Sequence, residues 1–129
     1  MSLYNNSDSP LSVKSEAFSV RVVKMVRFLY KKKDKCLISI YNQVLRSGTS
    51  ISANIGESQF AQSPADFITK LHVALKEANE TRKWLKMLKE ADCLTTFQFE
   101  SMNADLSEII AMLVSSLNTS KRNQQILVK

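Results

Sequence analysis

Two glycines and two prolines in 129 residues leave this chain few places to turn sharply. A β-rich domain of that length needs many tight turns, and tight turns draw on both residue types. The scarcity therefore points to a few long helices. The apolar residues agree, because they recur at alternating steps of three and four. Phe18, Val22, Met25 and Leu29, with Val26 alongside, mark a first helix from about Ser12 to Lys32. Leu37, Tyr41, Val44, Gly48, Ile51 and Ile55 mark a second, from about Lys35 to Phe60. Phe67, Leu71, Ala74, Ala78, Leu85 and Leu88, widened by Ile68 and Leu75, mark a third that reaches about Ala91. Phe99, Met102, Leu106, Ile109, Leu113 and Leu117 line the inner face of a fourth.

Punctuation between these segments fits helix ends. Ser63 is placed to cap the third helix, with Pro64 at its first position and Asp66 reaching back. Thr95 and Gln98 form a capping box for the fourth, and Leu94 can staple onto Phe99. The cations Lys31, Lys32 and Lys33 suit the negative end of the first helix dipole, and Asp34 suits a cap for the second. Gly48, Ser52 and Gly56 lie four apart, with Ala53 nearby, and admit two readings: close helix approach or a hinge. The fold class is all-α, an antiparallel up-down-up-down four-helix bundle over residues 12–118. A polar, flexible tail is expected over residues 1–11 and a frayed basic tail over residues 119–129.

The same residues narrow the chemistry. Cys36 and Cys93 match no metal or redox spacing. His72 is the single histidine, so a two-histidine zinc motif cannot form, and no Glu stands three residues before it as di-metal bundles require. On the helical wheel His72 falls toward Lys76 and Lys83, away from the core, where a solvated histidine is expected. Two glycines eight residues apart cannot build a phosphate-binding loop. No enzyme, cofactor or metal is expected. The chain has neither an N-terminal apolar stretch nor an apolar run long enough to span a bilayer, which points to the cytoplasm and no membrane partner.

Two surfaces call for explanation. Lys14, Arg21, Lys24, Lys31, Lys32 and Lys35 project within about 100° of one another if the first helical turn pattern continues to Lys35. With a net charge of +6 this row is compatible with phosphate binding, to RNA or DNA, and equally with a solvated face. No aromatic residues interleave with it for base stacking. On the third helix Val73, Glu77, Glu80, Trp84 and Met87 share a strip about a quarter turn from the core seam. Tryptophan and methionine there fit a contact between copies of the chain, or the edge of a wide core.

The segment Leu45-Arg46-Ser47-Gly48-Thr49-Ser50-Ile51-Ser52-Ala53-Asn54-Ile55-Gly56-Glu57 resembles the signature of the 23S ribosomal RNA intervening-sequence protein family. That pattern has an Arg-Ser pair, a Ser-Ile step, then Asn-Ile and a Glu within two residues. Phe67, Leu71, Ala74, Glu77 and Glu80 resemble the family's next helix, and the likeness runs over about residues 13–118. Members commonly carry a small residue, Glu and Gly after Asn-Ile; Gly56, Glu57 and Ser58 stand there instead, without the helix-ending glycine. The resemblance implies a bacterial four-helix bundle protein that assembles as a homopentamer and carries no known enzymatic activity. Some relatives bind a reverse transcriptase and nucleic acid. Arg46, Ser50, Asn54 and Glu57 share one polar face, which in a ring would meet a neighbouring subunit and in a monomer would meet water. The expected function is thus a self-associating, non-catalytic bundle that binds nucleic acid, RNA foremost, or a nucleic-acid-processing protein partner. The alternative is a structural or protein-interaction module without a nucleic-acid role.

Overall fold

The computed structural model describes residues 9–128, and these form four α-helices: α1 (Pro10–Tyr30), α2 (Ile38–Ser58), α3 (Pro64–Glu90) and α4 (Thr96–Val128). One 3-10 turn, Lys35–Leu37, leads into α2. Each helix packs on its neighbour in sequence and α1 closes against α4, which makes an antiparallel four-helix bundle. The core is the set the periodicity selects. Phe18, Val22, Leu29, Tyr41, Val44, Ile51, Leu71, Leu85, Leu88, Leu106, Ile109 and Leu113 are fully buried. Each such side chain contributes about 1.5–3 kcal/mol on leaving water. Burial also raises the Tyr41 hydroxyl pKa above its usual value, with the charges of Cys93 and Asp34 adding to the shift.

The caps form as expected. Ser63 Oγ accepts from the Asp66 N–H at 3.0 Å, and Asp66 Oδ2 accepts from the Gln62 N–H at 3.1 Å. Thr95 and Gln98 exchange side-chain and backbone bonds of 3.1 and 2.9 Å. The turns hold a surprise, because neither glycine is used in them. Lys33 (φ 53°) and Asp92 (φ 61°) take the left-handed conformation instead. At Asp92 the helix ends in a Schellman pattern, with Cys93 N–H bonded to Leu88 O at 2.8 Å and Asp92 N–H to Lys89 O at 3.0 Å.

The glycines lie inside α2, which runs unbroken through both. A Cβ on Gly48 would stand 2.8 Å from both methyls of Val22, so Gly48 is where α1 and α2 approach closely. Ser19 on α1 and Ser52 on α2 share a 2.6 Å hydroxyl bond beside it. Gly56 has open space where a Cβ would be, so it takes no part in that approach.

Several boundaries move. α1 begins at Pro10, capped by Ser9, because Leu11 is buried and Ser12 is held inside the bundle. Residues 1–8 of the expected tail lie outside the described residues. The helix stops at Tyr30, not Lys32, and α2 begins only after the 3-10 turn. α2 ends at Ser58 without a glycine, closing through i−3 bonds at Gln59, Phe60 and Ala61. The frayed tail expected from residue 119 is helical as far as Val128, although Leu117 is the last buried side chain among those described.

Candidate nucleic-acid interface

The basic row expected along α1 divides in two. Its first members are matched by acids on α4. Lys14 Nζ stands 2.6 Å from Glu108, and Arg21 reaches Asp105 at 2.5 Å, Ser101 Oγ at 2.9 Å and Ser101 O at 3.3 Å. These two cations tie α1 to α4. The row also fails to continue helically to Lys35, since α1 ends at Tyr30 and the left-handed Lys33 turns the chain.

On either side of that break lie cations of a second kind. Lys24, Arg27, Lys31, Lys32, Lys33 and Lys35 are all exposed. No carboxylate among the described residues stands within ion-pair distance of any of them. Asp34, the one acid inside this stretch, caps the Cys36 N–H at 3.1 Å. Arg27 and Lys33 had no place in the predicted row; both are exposed and without an ion pair among the described residues, Arg27 one helical turn before Lys31.

Aromatic rings accompany these cations after all. Phe28 and Phe97 line a groove of about 320 Å³ between the C-terminal part of α1 and the start of α4, with Met25, Leu94 and Met102 as floor and Arg21, Lys24, Gln98 and Ser101 around it. Lys32 Nζ lies 5.3 Å from the centre of the Phe28 ring. Phe28 could have been found in sequence, since it sits between Arg27 and the lysine run. Phe97 could not, because only the closing of α4 on α1 brings it there.

The motif face of α2 already makes contacts within the chain. Arg46 NH1 stands 3.1 Å from Glu77 on α3, and NH2 pairs with Glu80. Glu57 is 3.2 Å from Lys70. Ser50 Oγ bonds Arg46 O at 2.6 Å and Asn54 Nδ2 bonds Ser50 O at 2.8 Å. Within a single chain, then, these residue types already have partners. Beneath them the hydroxyls of Ser47 and Thr81 meet at 2.9 Å, both fully buried. On the α3 strip, Trp84 is half-buried against the core and its indole N–H donates to Glu80 at 3.0 Å. Val73 is half-buried, and Met87 is exposed. His72 is exposed, as its wheel position indicated. Among the described residues no group of three or more His, Cys, Asp or Glu could hold a metal ion, and no helix is long and apolar enough to cross a membrane.

Residues 8–115 match the profile of the family described as 23S rRNA-intervening sequence protein. A crystal structure at 1.70 Å resolution of a protein with unknown function from the S23 ribosomal protein family of Bacteroides thetaiotaomicron is also similar. It superposes with a TM-score of 0.80 at 47% identity, over 83% of this chain and 97% of that one. No curated protein sequence matches the chain.

Proposed function

The chain belongs to the 23S rRNA-intervening sequence protein family, and on that footing we propose that it is a non-enzymatic, self-associating bundle of the cytoplasm that binds RNA. The binding surface is the cationic end of α1 and the turn that follows. One observation carries this reading: six cations between residues 24 and 35 have no acid to pair with among the described residues, whereas Lys14 and Arg21 on the same helix do. Uncompensated cations at this density attract polyanions and release counterions on binding them.

Self-association draws on two apolar strips that the bundle leaves in water. Val13, Val20 and Val23 lie exposed on α1, and Met87 lies exposed beside the half-buried Val73 and Trp84 on α3. A ring, pentameric by family resemblance, would cover such strips and bring several cationic ends into one field. Light scattering tests this part: Val20→Glu or Met87→Glu should lower the oligomeric mass, and a mass unchanged by both would refute it.

Binding is tested by titrating a labelled single-stranded RNA at several salt concentrations. Replacing Lys31, Lys32 and Lys35 together by Ala should weaken binding at least tenfold and flatten the salt slope by about 2, at ~0.7 for each phosphate no longer neutralised. Replacing the exposed Lys76, Lys83 and Lys86 of α3 should do much less. Equal losses from the two sets would rule out a site at the end of α1 and favour a structural module whose charge only keeps it in solution.

A further inference from the structure

Phe97, on the first turn of α4, is 81% exposed, more than any other large apolar side chain among the described residues. A ring so exposed adds little to the core, and what makes it informative is that it lines one groove with Phe28, Met25, Leu94 and Met102. Across the groove Phe28 is 48% exposed, with the Lys32 ammonium near its ring. Lys24 stands on the rim. Gln98 also faces the groove, and its carbonyl oxygen is already engaged by the Thr95 N–H, which leaves its amide donors available. Ser101 lies next to it.

Aromatic faces, an apolar floor and unpaired cations ask for a ligand that is flat and apolar in one part and anionic in the next. A wholly apolar partner would cover Lys24 and Lys32 without neutralising them, which is costly. A duplex offers phosphates, but its bases are stacked on one another and present no face to Phe97. An unpaired strand supplies both at every nucleotide step. We propose that this groove takes a short unpaired stretch of RNA, with bases stacked on Phe97 and Phe28 and the flanking phosphates held by Lys24 and Lys32. Gln98 and Ser101 are placed to bond a 2′-hydroxyl. This rests on the RNA-binding reading above and narrows it from a charged surface to a site for single strands.

Anisotropy titrations of the full chain with a labelled ten-nucleotide RNA, and separately with a fully paired RNA duplex, test it. Phe97→Ala should weaken single-strand binding about tenfold, Phe97→Trp should preserve it, and duplex binding should be unchanged by either. The melting temperature should stay constant, since Phe97 is mostly in water, so lost binding cannot be put down to unfolding. Single-strand affinity unchanged in Phe97→Ala, or an equal fall for duplex, would overturn the proposal. A fall in oligomeric mass on Phe97→Ala would overturn it too, by giving the groove to a second copy of the chain. A DNA strand of the same sequence that competes equally well would overturn the choice of RNA. Failure of the underlying RNA-binding reading has a separate signature: the unmodified protein would then bind neither form, and the inference would fall with it.

Discussion

Across the α2–α3 seam Arg46 meets Glu77 and Glu80, Lys70 meets Glu57, and the hydroxyls of Ser47 and Thr81 touch inside the core. Across the α1–α4 seam Lys14 and Arg21 meet Glu108 and Asp105, but the seam then opens into a groove rimmed by Phe28 and Phe97. The two seams use similar residues. They differ in whether each cation finds an acid within the chain. Where it does, the cation is paired within the chain; where it does not, the cation stays in water, and the proposed RNA-binding surface is drawn from that second set. Gly48 helps explain why the opening falls on the α4 side, because it lets α1 lie close against α2.

Core truncation on α3 should have the largest effect. Leu85 is fully buried, so Leu85→Ala should lower stability by about 3 kcal/mol in denaturant unfolding. Phe97→Ala in the open seam should change it by less than about 0.5 kcal/mol. A comparable loss from both would break the comparison, by making the groove part of the core. Next in size is Gly48→Ala. Alanine is the better helix former by about 1 kcal/mol, yet its methyl would strike the stiff, buried Val22, and a net loss of about 1–2 kcal/mol is expected. Gly56→Ala, with nothing nearby, should instead gain about 0.5–1 kcal/mol. Smallest are the ion pairs. Arg46→Ala should cost about 1 kcal/mol, because it leaves Glu77 and Glu80 facing one another, and Arg21→Ala about 0.5 kcal/mol. A double-mutant cycle between Arg46 and Glu77 would sharpen the first figure.

Much of the bundle was legible because burial follows periodicity. The predicted seams of α2, α3 and α4 supply most of the observed core; the Thr95–Gln98 capping box closed as its spacing required, while Ser63 capped α3 and Asp66 reached back one residue further, to the Gln62 N–H. The turns were less legible. Glycine is the usual residue for a left-handed turn, but here Lys33 and Asp92 take that conformation while both glycines sit within α2. The site was legible only in part. A helical wheel reports direction and not distance, so it grouped Lys14 and Arg21 with Lys24 although acids on α4 claim the first two. It likewise set Arg46 and Glu57 facing water, when α3 lies close enough for their long side chains to reach. Phe97 joins the site only through tertiary closure, which no local pattern encodes.

The division between holding cations and binding cations is tested most directly by following RNA affinity and melting temperature together in two double variants. Lys24→Glu with Lys32→Glu should lose RNA binding at least tenfold and keep its melting temperature. Arg46→Ala with Lys70→Ala should melt several degrees lower and keep its RNA affinity. RNA binding lost in the second variant and retained in the first would contradict it.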